Sequence, residues 1–144
     1  MSYALQMLDS YPRTVNVDAS VLAAAIHAIS DCAQACTADT DADLSEQNLT
    51  EMVKCIQLCL DCTDICTTTA GVISRLAEYD PSATRPLLEA CVAICKSCGD
   101  ECERHAHKST AGSASRPADA ASGPAGSCWT PRHSKPGQPT VRRS

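Results

Sequence analysis

Residues 55–66, CIQLCLDCTDIC, decide the fold, because their four cysteines follow the spacing C-x3-C-x2-C-x3-C. At about 100° per residue, this spacing places the four side chains within an arc of roughly 60° on one face of an α-helix. Residues 91–102, CVAICKSCGDEC, repeat the pattern, and CAQAC at residues 32–36 adds two cysteines one turn apart. The sequence therefore predicts three helices, each with a stripe of thiols on one face.

The sequence around the stripes predicts where these helices begin and end. Asn16 or Asp18 is expected to cap the first long helix, and the Asp80-Pro81 pair supplies a cap and a first-turn proline for the third. The polar stretch TADTDADLSEQN after Cys36 is interpreted as a turn. We expect a short helix near residues 3–9 and long helices at about 19–38, 45–78 and 82–107.

The expected fold class is all-α, an antiparallel helical bundle with three long helices and a short N-terminal helix. Short turns make consecutive helices antiparallel, and the three thiol stripes then meet at one end of the bundle. At the other end the same helix faces are expected to form an apolar plug in which Thr84 is the one polar position. The apolar members of this plug are Val21, Leu22, Ala25, Ile73, Leu76, Leu87 and Leu88.

Composition divides the chain near residue 108. Residues 1–108 hold 7 Lys and Arg against 16 Asp and Glu, and this acidic balance argues against a nucleic-acid partner. Residues 109–144 contain 7 Ser, 6 Ala, 5 Pro and 4 Gly and carry a basic charge. We therefore expect a bundle domain at 1–108 and a disordered tail at 109–144, which includes Cys128.

The sequence also predicts the cellular location. No segment approaches the roughly 18 apolar residues of a membrane span, so no membrane partner is expected. The N-terminus, MSYALQMLDSYPRTVN, lacks the basic start and continuous apolar run of a secretory signal. We therefore expect a cytoplasmic protein, in which thiols stay reduced.

The aligned thiols predict binding of soft metal ions, among which thiolates admit Cu(I), Zn(II) and iron-sulfur clusters. The stripe from Cys55 to Cys66 spans roughly 16 Å along a helix, which is too long for one mononuclear site and favours a row of several Cu(I) ions. Met52 and His105 border the stripes near their open end and are predicted entry ligands. The predicted thiolate ligands are Cys32, Cys36, Cys55, Cys59, Cys62, Cys66, Cys91, Cys95, Cys98 and Cys102.

The segments MVKCIQLCLDCTDIC, LLEACVAICKSCGDECERHAH and HAISDCAQAC resemble the cysteine-rich four-helix-bundle copper storage proteins, particularly their cytosolic bacterial members. The resemblance covers roughly residues 3–108. It implies storage of many Cu(I) ions inside the bundle, without catalysis, and association into a homo-oligomer. Two alternatives stay open: a zinc or iron-sulfur protein used in regulation or electron transfer, and a structural bundle with incidental cysteines.

The chain departs from this family in lacking a fourth cysteine-bearing helix, and its tail suggests the reason. Alanines 111, 114, 118, 121 and 125 are spaced 3, 4, 3 and 4, as the stripe cysteines are. Alanine codons begin with GC, so a preceding T gives the cysteine codon TGC in another frame. Read from the last base of the Lys108 codon, permitted codons encode EHCGVCVEACRRCERACRELLDA, an amphipathic helix with five cysteines. We hypothesise that the tail is a frame-shifted fourth helix.

Overall fold

Four α-helices form the fold of this computed structural model, which describes residues 3–14 and 16–109, with side chains up to residue 105. Every regular element in that part of the chain is helical, which confirms the predicted all-α class. The predictions for the tail, including Cys128, lie outside the described residues. The helices are α1 at Tyr3–Asp9, α2 at Ala19–Leu44, α3 at Leu49–Ile73 and α4 at Pro81–Ser109.

Two aspartates start the helices as predicted. The Asp18 carboxylate accepts hydrogen bonds from the backbone N–H groups of Ser20 and Val21, at 2.9 and 3.1 Å, and caps α2. The Asp80 carboxylate accepts a bond of 2.8 Å from the backbone N–H of Ser82, just after Pro81 begins α4. Each carboxylate thus pairs N–H groups that have no partner within the helix.

The polar stretch after Cys36 is helical, so the predicted turn at residues 37–48 was wrong over most of its length. α2 continues to Leu44, and α3 begins at Leu49 instead of Ser45. The Thr40 hydroxyl donates to the Cys36 carbonyl at 2.9 Å, and Asp43 is 1% exposed. These polar side chains have partners or buried places within the helix, so their polarity does not end it.

The second long helix ends earlier than predicted, at Ile73 instead of Glu78. The Ser74 backbone N–H and hydroxyl both donate to the Ala70 carbonyl, at 3.2 and 2.7 Å, and satisfy an acceptor that the helix end would otherwise expose. Leu76 consequently lies in the loop between α3 and α4.

The long helices occupy three corners of a four-cornered bundle. α2 and α4 each pack along α3, and α1 packs on α2, whereas the backbones of α2 and α4 stay apart. Three helices around a common axis would instead bring all three pairs into backbone contact. α2 and α4 therefore lie on a diagonal, and no described helix fills the corner opposite α3.

The predicted apolar plug is only partly formed. Ile73 and Thr84 are buried as expected, at 6% and 5% exposure, but Val21 is 63% exposed and Ala23 is buried in its place. The other plug residues are half-buried, namely Leu22, Ala25, Leu76, Leu87 and Leu88. A bundle with one open corner explains this incomplete burial, because side chains facing that corner have no fourth helix to cover them.

By length and composition alone, α2 is apolar enough to cross a membrane, with a mean hydropathy of 1.3 over its most apolar stretch. The sequence prediction overlooked this, because it counted unbroken apolar residues instead of mean hydropathy. Core helices of soluble proteins pass the same test. α2 packs along α3 and places Cys32 and Cys36 against the thiols of the other helices.

Candidate metal centre

The core of the bundle is made of thiols. Eight of the ten described cysteines are buried, while Cys32 and Cys95 are half-buried, and none of the ten forms a disulfide. Apolar side chains such as Ile29, Leu58 and Ile65 pack around this core. The structure thus brings together all ten cysteines that the stripes predicted as metal ligands.

Thiols of α3 and α4 face each other in a ladder that runs along the bundle axis. As the α3 residue number rises, that of its α4 partner falls, so the predicted antiparallel packing is confirmed. Each Sγ–Sγ contact is short enough for a single metal ion to join two helices. The distances are 3.7 Å for Cys55 and Cys102, 3.6 Å for Cys59 and Cys98, 3.7 Å for Cys62 and Cys95, and 3.7 Å for Cys66 and Cys91.

α2 adds its two thiols to this ladder from the side. The Cys32 sulfur lies 3.7 Å from the sulfurs of both Cys62 and Cys95. The Cys36 sulfur lies 3.8 Å from that of Cys98. The diagonal helices α2 and α4 therefore meet through cysteine side chains, although their backbones stay apart.

Three overlapping sets of ligand atoms lie along the ladder, and within each set all the atoms are within 4.8 Å of one another. Cys62 belongs to two of the sets, so the sets join into one continuous cluster. We name them the tetrathiol group (Cys32, Cys62, Cys66 and Cys95), the trithiol group (Cys36, Cys62 and Cys98) and the aspartate group (Asp39, Cys55, Cys59 and Cys102).

The tetrathiol group has the spacing of a metal thiolate site. Its sulfurs are separated by 3.4 to 3.8 Å in the five pairs that are in direct contact. A metal–sulfur bond of about 2.3 Å with tetrahedral angles separates sulfurs by about 3.8 Å. Three or four of these thiolates need little movement to surround one ion.

Asp39 is a site residue that the sequence analysis missed. Its carboxylate Oδ2 accepts hydrogen bonds from the thiols of Cys59 and Cys102, at 3.3 and 3.4 Å. Its position was interpreted as part of a turn, yet its spacing carried a signal. Residues 32, 36 and 39 continue the 4, 3 spacing of the thiol stripes, which places Asp39 on the same face as Cys32 and Cys36.

The thiols of the aspartate group favour their protonated form. The hydrogen bond with Cys102 acts to lower the pKa of Cys59, but contacts with Cys55 and Cys98, together with burial, raise it overall. For Cys102, the contact with Cys55 lowers the pKa, while Cys59, Cys98 and burial raise it further. Loss of several protons from neighbouring buried thiols is costly, because each thiolate repels the next.

The tetrathiol group responds differently. The contact with Cys32 raises the pKa of Cys66, but hydrogen bonds from Cys62 and Cys95 outweigh it, and the pKa is lowered. Burial raises the pKa of the neighbouring Cys91 thiol, and the adjacent Cys66 raises it further. Negative charge in this part of the ladder is therefore most favourable on the Cys66 sulfur.

Met52 and His105 lie near the same end of the bundle. Met52 packs against the cysteine core. The His105 side chain is 10% exposed, and its Nε2 lies 3.2 Å from the Glu101 carboxylate. The structure thus brings Met52 to the thiols and His105 to a carboxylate, and the ligand role of each stays a prediction.

Glu101 organises the charges at this end. It is 6% exposed and pairs with Lys54 at 3.2 Å and with Arg104 at 2.9 Å. Burial acts to raise the pKa of Glu101, but these cations and His105 hold it below its usual range. The Lys54 pair joins α3 to α4 beside the aspartate group.

Known proteins with the same architecture were found by sequence and by structure. The sequence profile of the copper storage protein family (Csp) matches residues 18–124. The structure is similar to the copper storage protein Ccsp from Streptomyces lividans loaded with 10 copper equivalents, with a TM-score of 0.70 and 46% identity. The similarity covers 72% of this chain and 80% of that protein. No curated protein sequence matches the chain.

Two further structures of the Streptomyces lividans protein give the same result. One, described as showing copper loading to a cytosolic copper storage protein with five coppers, has a TM-score of 0.60 and 49% identity, over 61% of this chain and 73% of the other. The other, with one histidine replaced by alanine, has a TM-score of 0.62 and 48% identity, over 65% and 78%. Because the family profile matches well over half of its length, this chain belongs to the copper storage protein family.

Proposed function

We propose that this protein stores Cu(I) in the cytosol by binding several ions to the thiolates inside its helical bundle. The observation that carries the proposal is the continuous cluster formed by three ligand groups that share Cys62. Its relative from Streptomyces lividans is a cytosolic protein whose structures hold five or ten copper equivalents. Family membership and the buried ladder of ten thiols support the same use here.

The shared thiol favours Cu(I) over zinc. A structural zinc site is closed by four ligands in a tetrahedron. The tetrathiol group could hold one such ion, but Cys62 also belongs to the trithiol group and would have to bridge a second metal. Cu(I) is soft and prefers thiolates, so bridging sulfurs suit a chain of several Cu(I) ions.

Burial serves retention of the metal. Bound thiolates have lost their protons, so each Cu(I) that enters releases protons and is balanced by negative sulfur. The packed helices keep water from most of these sulfurs, because eight of the ten cysteines are buried. We place no catalytic step in this function, since the thiols face one another and no substrate cleft opens onto them in the described part of the chain.

Copper is proposed to enter at the end that holds Met52 and the aspartate group. Met52 offers a soft thioether against the thiol core, and His105 offers an imidazole nitrogen once it leaves Glu101. Soft and borderline donors at the mouth pass a Cu(I) ion to thiolates without leaving it bare. The stripe runs inward from there to Cys66 and Cys91.

Anaerobic titration with Cu(I) against a competing chelator tests the function. We expect several ions per chain to be bound before the chelator takes up copper. A single bound ion would contradict storage and favour a transfer or sensor protein, and no bound ion would overturn the metal function. Zn(II) added to the same protein should be displaced by Cu(I), and purified protein should lack the visible absorption of an iron-sulfur cluster.

The partners other than copper belong to the same proposal. The acidic charge of residues 1–108 supports the absence of a nucleic-acid partner, and the packing of α2 inside the bundle supports the absence of a membrane partner. Exposed apolar residues at Leu44, Leu49 and Leu60 line a groove of about 510 Å³ between α2 and α3, which supports association into a homo-oligomer. Light scattering should therefore give a mass above that of one chain.

A further inference from the structure

The open corner of the bundle exposes part of the metal centre. The two cysteines that are only half-buried, Cys32 and Cys95, lie on the diagonal helices α2 and α4, whereas all four cysteines of α3 are 0% exposed. The sulfurs of Cys32 and Cys95 are 3.7 Å apart, with α3 on one side of the pair. Their exposed side therefore faces the corner that no described helix fills.

The half-buried apolar residues point to the same corner. Leu22 on α2 and Leu87 and Leu88 on α4 are incompletely covered, although they lie on the faces that continue the thiol stripes. A trough lined by thiols at one end and leucines at the other requires an occupant with a matching stripe. A helix with cysteines at 3 and 4 residue spacing meets that requirement.

The position where α4 ends shows where such a helix would begin. α4 runs to Ser109, seven residues beyond Cys102, so the chain leaves the bundle at its thiol end. A helix that turned back there would run antiparallel to α4 and place its first turns level with the thiols. The alanines at 111, 114, 118, 121 and 125 have the stripe spacing at this point of the sequence, but alanine offers no ligand.

We infer that the open corner is the seat of a fourth thiol-bearing helix, encoded by the codons of residues 109–131 in the frame that begins with the last base of the Lys108 codon. In that frame the five alanine positions become cysteines. Five cysteines from 111 to 125 extend about 21 Å along a helix, against about 16 Å for those from 91 to 102. The inference concerns the occupant of the trough and does not depend on which metal the thiols bind.

The family match supports this inference independently of the codons. The profile continues to residue 124, which is 15 residues beyond the end of α4. The similarity to Ccsp leaves a fifth of that protein without a counterpart in this structure. Both observations indicate that related chains continue past the point where α4 ends.

The sequence of the gene and the mass of the natural protein test the inference directly. We expect the gene to hold an open frame across the Lys108 codon that encodes the cysteine-bearing peptide, and the protein from its source to differ in intact mass from the printed chain. A gene in which no alternative frame encodes five cysteines at these positions would overturn the inference. So would a natural mass equal to that of the printed chain.

A binding experiment tests the geometry with the printed full-length chain. Under native, reducing and metal-free conditions, alkylation should modify Cys32 and Cys95 faster than the buried cysteines. The 23-residue peptide EHCGVCVEACRRCERACRELLDA, added in trans, should slow modification of these two thiols by about tenfold because it covers them. A peptide of the same composition in scrambled order, without the stripe, serves as the matched control.

Each outcome of the peptide experiment decides the question. Protection by the striped peptide alone supports a helix in the open corner. Equal protection by both peptides, or by neither, would contradict it. If the printed chain alone is dimeric and already protects Cys32 and Cys95, a second copy fills the trough and the inference is wrong.

Discussion

Cys62 is the residue on which the continuity of the metal centre depends, because it belongs to both the tetrathiol and the trithiol groups. Replacing it in the C62S variant should lower the number of bound Cu(I) ions more than the loss of any thiol that belongs to one group or none. Cys91 provides the matched control, since it is buried on α4 but lies in none of the three groups. Chelator-competed titration of C62S and C91S measures the difference, and equal losses would contradict a shared thiol.

Asp39 should govern the rate of copper uptake more than the capacity. Its carboxylate lies 3.3 and 3.4 Å from two thiols that must lose protons before they bind metal, so it is placed to accept a proton. A carboxylate is a poor ligand for soft Cu(I), so its removal should leave the final number of ions unchanged. We expect Asp39→Asn to slow uptake several-fold, measured by stopped-flow ultraviolet absorbance of the copper thiolates.

The exposed Asp41, two residues further along α2, is the control for Asp39. Asp41→Asn removes the same charge from the same helix without touching a thiol, and its uptake rate should equal that of the unmodified protein. A loss of capacity in Asp39→Asn would instead show that the carboxylate is a ligand. Equal rates in both variants would exclude the proton-accepting role.

The cysteine ligands could be predicted from the sequence, whereas Asp39 could not. A thiol stripe has few competing explanations when it repeats on three helices, so the period alone assigned all ten cysteines to one face. Asp39 stands among Thr37, Thr40 and Asp41, and such polar residues are typical of turns. Only the structure shows that its carboxylate faces Cys59 and Cys102.

At the scale of the helices, the starts were predicted better than the ends. Asp18 and Asp80 are N-caps by chemistry, because a carboxylate accepts from N–H groups that a helix leaves unpaired. The ends of α2 and α3 depend on which polar groups find partners after folding. Thr40 bonds back to Cys36 and prolongs α2, whereas Ser74 bonds back to Ala70 where α3 ends.

The Asp80 cap should contribute to the stability of α4 in a way that depends on pH. The Ser82 hydroxyl, at 2.6 Å, and the Ser82 N–H hold the pKa of Asp80 below its usual range. A carboxylate with a lowered pKa in the folded state stabilises the fold above its unfolded pKa. That contribution is lost as the pH falls through the folded pKa.

We therefore expect Asp80→Ala to lower the melting temperature by a few degrees at pH 7. The difference from the unmodified protein should stay constant down to about pH 5 and shrink below about pH 4. Thermal melts followed by circular dichroism measure it. Glu78→Ala removes an exposed carboxylate from the adjoining loop and should have little effect, so a difference that persists unchanged at pH 2 would contradict the capping role.

At the scale of the whole molecule, the predicted bundle is confirmed in class and direction but not in closure. Antiparallel packing followed from short turns, and the thiol ladder confirms it. The plug could not be judged from periodicity alone, because the burial of Leu22 or Leu88 depends on a neighbour that lies on none of the three striped helices. The open corner is a property of the assembled helices, and no single helix reveals it.

Copper should act as the cross-link between the diagonal helices. α2 and α4 have little backbone contact, yet the tetrathiol group takes Cys32 from α2, Cys62 and Cys66 from α3, and Cys95 from α4. An ion bound there exists only in the folded state, so it stabilises that state by mass action. At free Cu(I) a thousandfold above the dissociation constant, one site contributes about 4 kcal/mol.

We expect the melting temperature of the protein to rise stepwise as Cu(I) equivalents are added under anaerobic conditions. The double variant C32S/C95S keeps the α3–α4 pairs of Cys55 with Cys102 and Cys66 with Cys91, but it loses the thiols that join α2 to α4. Its melting temperature should rise less at equal loading, because α2 is no longer tied through the metal. A melting temperature independent of copper, or an equal rise in the variant, would mean that the ions bind without joining the helices.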